Sequence, residues 1–204
     1  MFTFIRSLLP RRKGDCTPAE GSFHQTFGLF EQDALRWLGS GKSAPASELT
    51  FSRLIVLLYR NPGLRATAWF RLGWWCQYKG IRILPSTIQH LIYRRYGMDI
   101  VISASIGGGL YIAHTVGMVI APRRIGKNCS LIASTTIGMR NEWSFPEIGD
   151  NVFIGAGARV LGGIILGDNA IVGANAVVIN DVPSGATVVG IPAKTIKISA
   201  PKYL

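Results

Sequence analysis

The sequence predicts a mainly β protein: a parallel β-helix of hexapeptide repeats preceded by a small α-helical region. Three observations lead there. An aliphatic residue returns at every sixth position from Ile100 onward, with two resets, over about 80 residues. Glycine often comes next, and the fifth position of each six is usually small or β-branched. Upstream of Ile100 the spacing of apolar residues is helical instead. Neither the 3.6-residue helix period nor strand alternation yields a strict six, whereas a stack of repeats does.

Along the chain, residues 1–47 read as an N-terminal arm. Residues 1–27 hold Pro10, Pro18 and the basic cluster Arg11-Arg12-Lys13, which predicts loose order. "LFEQDALRWL" (29–38) predicts a short helix and "GSGKSAPAS" (39–47) a linker. Residues 48–98 form the helical region. "ELTFSRLIVLLYRN" predicts one helix, closed by Asn61-Pro62-Gly63. "LRATAWFRLGWWCQYKG" predicts a second, stopped at Gly80. "PSTIQHLIYRRYG" predicts a third, opened by Pro85-Ser86 and stopped at Gly97. Their aromatic and aliphatic stripes suit a core or a helix–helix interface, and the interleaved arginines also suit peripheral attachment to a membrane surface.

Residues 99–187 carry the repeat. Its first position falls at 100, 106, 112 and 118, then after one extra residue at 125, 131 and 137. An 11-residue step resets it to 148, 154, 160, 166, 172 and 178. Three hexapeptides make one triangular coil, with the first position inward, the fifth supporting it and glycine permitting the corner. The count predicts a little over four coils. The larger reset creates a flap loop, 138–147, with Arg140, Glu142, Trp143 and Phe145; loops on a rigid scaffold commonly carry function. Pro183, Pro192 and "VVGIPAKTIKIS" end the repeat, so 188–204 read as a C-terminal cap and tail.

The net charge of +11 suggests anionic partners. Residues 1–99 carry 14 Lys/Arg against 6 Asp/Glu, and residues 100–204 carry 8 against 5, so the excess is mostly N-terminal. No nucleic-acid recognition motif accompanies it, which argues against a nucleic-acid partner. Cys16, Cys76 and Cys129 are odd in number and widely spaced, a pattern suited to a reducing cytoplasm. "MFTFIRSLLPRRKG" lacks the apolar core of a secretory signal, and no uninterrupted run of about 18 apolar residues predicts a spanning helix. "GKS" at 41–43 is not a phosphate-binding loop, because Arg36 stands where such a loop needs glycine.

With the repeat laid out, "YGMDIVISASIGGGLYIAHTVGMVI" and the run from "IGDNVFIGAGARV" to "GIPAK" resemble the left-handed β-helix acyltransferase superfamily. They resemble its serine acetyltransferase-related branch, which includes sugar and polysaccharide O-acetyltransferases. The likeness spans about residues 50–197. It implies a left-handed coil, a homotrimer, and acetyl-CoA lying between neighbouring coils as acetyl donor. It also implies a histidine general base at His114 in "IAHTVG", oriented by an aspartate fifteen residues earlier, Asp99 in "GMDI".

The chemistry fits those residue types. A hydroxyl attacks a thioester well only when a base takes its proton, and histidine serves near neutral pH. A carboxylate on the other ring nitrogen holds the tautomer and stabilises the imidazolium. Backbone N–H groups near Gly117 and Gly138 are candidate oxyanion donors. The resemblance further implies CoA-binding roles for Gly138, Gly155, Ala156, Gly173, Ala174 and Lys194. Small residues also suit coil corners, and a lysine suits solvent, so each has a purely structural alternative.

Two positions depart from the serine enzymes. Ala113 stands where they carry an acid, and Phe145 where they carry a second histidine; both of those help hold the amino acid. Ala113, Arg140, Trp143 and Phe145 are therefore the candidate acceptor-binding residues. The resulting expectation is an O-acetyltransferase acting on a hydroxyl of a sugar or surface-polysaccharide precursor, in the cytoplasm or at the inner membrane face. Serine O-acetyltransferase is the alternative, and a non-catalytic β-helix scaffold a third. A zinc enzyme on this fold needs three converging histidines, and the repeat supplies only His114, so no metal is expected.

Overall fold

The computed structural model describes residues 22–198; the cluster Arg11-Arg12-Lys13, Cys16 and the tail 199–204 lie outside them. Helix α1 runs Phe23–Leu38, six residues earlier than the apolar pattern suggests. Ser22 Oγ accepts from Gln25 N–H, and Gln25 Oε1 accepts from Ser22 N–H. This reciprocal cap (Ser-x-x-Gln) satisfies two otherwise free donors, so the loose order expected through residue 27 gives way to helix at Ser22. A short 3-10 turn, Ala46–Glu48, precedes α2, Phe51–Arg60, whose N-terminus Thr50 caps. Pro62 opens α3, Pro62–Tyr78, where its missing N–H costs nothing. Helix α4, Ile83–Tyr96, is stopped by Gly97 in the left-handed region at φ 63°.

Phe30, Ala34 and Leu64 form a small helical core, flanked by Leu54, Leu57 and Leu58 of α2. The other side of α2 turns Phe51, Ile55 and Tyr59 outward, so among the described residues only one of its two apolar stripes is covered. Phe70 and Ile92, from α3 and α4, instead belong to the main core.

That core fills a parallel β-solenoid of three sheets, a left-handed β-helix in architecture. One sheet stacks β1 (Met98–Ile100), β4 (Met118–Ile120), β7 (Thr136–Gly138), β10 (Arg159–Leu161) and β13 (Val177–Val178). The second stacks β2 (Ser105–Ile106), β5 (Arg124–Ile125), β8 (Glu147–Ile148) and β11 (Ile165–Leu166). The third stacks β3 (Tyr111–Ala113), β6 (Ser130–Ile132), β9 (Phe153–Ile154), β12 (Ile171–Val172) and β14 (Ala186–Gly190), closed by β15 (Ala193–Ile198). Through β13 the strands pair in parallel three apart along the chain, the signature of one coil per three hexapeptides. The stack amounts to about five coils rather than a little over four. The two further sides are Val182, which bridges Leu166 in parallel, and β14, which continues the stack on β12 before β15 folds back antiparallel as a cap.

All thirteen first positions of the repeat are buried, from Ile100 to Val178. Corners are held by repeated side-chain devices. Asn128, Ser134, Asn151, Asn169 and Asn175, each at the fourth place of its six, take φ of 56–60°, a region Asn tolerates better than most residues. Asp150 Oδ1 accepts from Lys127 N–H at 2.7 Å, and Asp168 Oδ1 from Asp150 N–H at 2.7 Å, linking successive coils.

Candidate active site

His114 lies at the corner between β3 and β4, and this corner differs from the others. The left-handed residue here is His114 itself, at φ 62°, one place earlier in the six than the asparagines. The early turn displaces the next residues by one place. Thr115 becomes the inward residue, and its hydroxyl donates to Tyr96 O at 2.7 Å. Val116, which the register puts at the supporting fifth position, is 72% exposed. Gly117 N–H donates to Gly97 O at 2.9 Å. That bond occupies the Gly117 donor, so it is not free to meet an oxyanion, contrary to the expectation from sequence. Left-handed residues recur at the corners of this coil, so what sets this corner apart is the early place of the turn and the exposed histidine that makes it.

These two bonds pin residues 114–117 onto the α4–β1 junction. Asp99, the middle residue of β1, stands two residues after Gly97 and pairs in register with Val119 of β4. Asp99 and His114 therefore belong to one edge of the first coil, with His114 exposed and Asp99 half-buried. Among the described residues the partner of Asp99 is Gln89 of α4, whose Nε2 donates to Oδ1 at 2.9 Å. The direct Asp99–His114 hydrogen bond of the expected dyad is not made within this chain. Sequence spacing missed Gln89 because its relation to Asp99 depends on where α4 ends.

The other expected residues separate into two groups. At Gly155 an added Cβ would lie 2.7 Å from Ala174 N, and at Gly173 2.7 Å from Val189 Cγ1. Tight stacking between coils thus already accounts for both glycines. Gly138 is different: an added Cβ would meet nothing within 4 Å, so the end of β7 borders open space. Ala156 and Ala174 occupy successive stacked corners, joined where Asn175 N–H donates to Ala156 O at 2.8 Å. Lys194 lies exposed on β15.

The flap folds back on the coil above it. Gly162 N–H donates to Gly138 O at 2.9 Å, and Gly163 approaches Ser144 so closely that an added Cβ would sit 2.9 Å from the serine Cβ. Trp143 and Phe145 meet edge-to-face at 5.5 Å, and Arg140 and Trp143 are exposed. Ala113 ends β3, half-buried beside His114. No cluster of metal-ligating side chains occurs among the described residues, and no described helix is long and apolar enough to cross a membrane.

The coils and their preceding helices define a hexapeptide-repeat transferase. The family model "Bacterial transferase hexapeptide (six repeats)" matches residues 145–180. The serine acetyltransferase of Helicobacter pylori (strain J99) is 37% identical over 146 residues, spanning 70% of this chain and 84% of that protein. That of Synechococcus elongatus is also 37% identical over 146 residues, spanning 70% of this chain and 59% of the relative. The solved structure of Neisseria gonorrhoeae serine acetyltransferase in complex with serine superposes with a TM-score of 0.72 at 31% identity, covering 86% of this chain and 71% of that one. This chain belongs to the serine acetyltransferase family of acyltransferases. It spans about three-fifths of the length of the first cyanobacterial relatives it matches.

Proposed function

We propose that this chain transfers an acetyl group from acetyl-CoA to an acceptor hydroxyl, with His114 as general base and Asp99 as the carboxylate that orients it. The observation carrying this reading is the corner itself: a left-handed histidine, exposed, pinned to the junction that presents Asp99. In the reaction the hydroxyl gives its proton to a ring nitrogen of His114 as its oxygen attacks the thioester carbonyl. The carbon–sulfur bond then breaks, and the proton returns from the imidazolium to the departing thiolate. General-base action of this kind is worth roughly 10²–10⁴-fold. Gly138, Ala156, Ala174 and Lys194 would hold the donor. A homotrimer would bring the open edge of one coil stack against its neighbour.

L-Serine is the acceptor best supported, because the relatives carry the name serine acetyltransferase and one is solved with serine bound. Those names lend nothing to a polysaccharide role. A sugar hydroxyl is kept as the second reading on one observation: Ala113 and Phe145, beside the base and in the flap, replace the acid and histidine expected of a serine site. Monitoring CoA release with L-serine and with a panel of sugars and glycans separates them. Saturable turnover with serine at millimolar concentration or below supports the first reading. Turnover with a sugar and none with serine overturns it in favour of the second.

A further inference from the structure

Helix α4 does more than lead into the first coil. Gln89 stands ten residues before Asp99, and its carboxamide reaches Oδ1 at 2.9 Å. The amide orientation is set by chemistry: turned the other way, its oxygen would face a carboxylate, two acceptors with no proton between them. Among the described residues this is the hydrogen bond Asp99 makes, so Oδ2 keeps its lone pairs for an N–H donor. The backbone around the pair is held at both ends. Gly97 stops α4 in a left-handed turn, and the His114 corner is fastened to Tyr96 and Gly97 through Thr115 and Gly117.

We propose that Gln89 is a positioning residue for the transfer reaction, acting through Asp99. Resting on the general-base reading above, the role is to fix the carboxylate rotamer so that one oxygen is saturated by a neutral donor and the other is presented to the imidazole. A carboxylate free to rotate would hold the ring in one tautomer for only part of the time. A neutral donor is suited to this task because a cation there would compete with the imidazolium for the same negative charge.

The test compares full-length native protein with Gln89→Met, Gln89→Glu and His114→Asn. Gln89→Met keeps length and removes the donor. It is expected to lower kcat about tenfold while the KM for acetyl-CoA stays within twofold. In nitrogen-15 spectra its His114 ring is expected to shift from one tautomer toward the mixture of free imidazole, a readout that needs no acceptor. Gln89→Glu puts a second acceptor against Asp99 in place of the donor, and is expected to lower kcat at least as far as Gln89→Met. A residue that merely packs α4 would not move the tautomer. Native tautomer and native kcat in Gln89→Met, with His114→Asn inactive, overturn the role of Gln89 alone. Activity surviving in His114→Asn overturns the general base and the role of Gln89 with it.

Discussion

Asp33 and Arg71 form a buried ion pair that joins helices α1 and α3 to the first coil. Arg71 Nε lies 2.9 Å from Asp33 Oδ2, and the two side chains are 3% and 0% exposed. Neither charge has spare capacity. Arg71 also donates to Ile106 O and Gly107 O, and Asp33 Oδ1 accepts from Leu110 N–H at 2.7 Å. The pair thus fastens the helices to residues 106–110, the segment that leads into β3 and His114.

Breaking one half strands the other without water. Asp33→Ala is expected to destabilise by about 3–5 kcal/mol, because the Arg71 charge stays buried without its counter-ion. Urea unfolding at neutral pH reads this directly. A loss under about 1 kcal/mol, the worth of an exposed pair, would show that the pair is dispensable.

His114→Asn is the variant that isolates chemistry from backbone. Asparagine already takes the left-handed turn at four other corners, so the coil should close as before. Acetyl transfer should fall by roughly 10²–10⁴-fold, with the melting temperature nearly unchanged. Assaying CoA release beside a thermal melt distinguishes loss of the base from loss of the fold.

Gly63→Ala should injure stability rather than binding. A Cβ there would strike Ile112 O, the backbone of β3, and crowd Trp37. Both α3 and the first coil would have to move apart. A cost of about 1–3 kcal/mol, as for other overpacked interiors, is expected in chemical denaturation.

Cys129 predicts an alkaline weakness. Burial pushes its thiol up to about 12, while its Sγ–H donates to Gly149 O at 3.1 Å. The folded pKa lies above the unfolded value of 9.0, so the stabilising contribution is complete below pH 9 and is lost as pH rises toward 12. The loss should be about 1.4 kcal/mol per pH unit in that window. Urea midpoints measured from about pH 8 to 11 should therefore fall more steeply for the native protein than for Cys129→Ala. Parallel slopes would contradict the assignment. In the folded protein the same thiol should resist alkylation at about pH 8.

The flap offers a test of acceptor contact. Trp143 is 51% exposed, packs on Phe145, and carries little of the core. Trp143→Ala should raise the acceptor KM several-fold while leaving the KM for acetyl-CoA and the melting temperature close to native values. An unchanged acceptor KM would place the acceptor away from the flap.

The solenoid was legible because its information is local and repeated. Each coil buries the same place in the six, so Ile112, Leu131 and Ile154 report one geometry three times over in a single stack. The candidate base was legible for the opposite reason, as a histidine interrupting that pattern. What the repeat misjudged was its immediate neighbourhood. Val116 turns out and Thr115 turns in, because a left-handed residue one place early advances the chain by one position. The start of α1 was readable from Ser22 and Gln25, whose capping pattern outweighs the helical spacing that begins only at Leu29.

By itself, then, the sequence determined the parallel coils, the inward residues, the flap and the presence of a histidine and an aspartate suited to acyl transfer. The reason is that periodic burial and residue chemistry are properties of short segments. Only the tertiary structure decided that Gln89 holds Asp99, that Gly117 spends its N–H on Gly97, and that Asp33 and Arg71 bolt the helices to the first coil. Each of these joins segments whose approach depends on how helices dock on the coil. No period in the chain records that docking, because it arises from packing rather than from spacing.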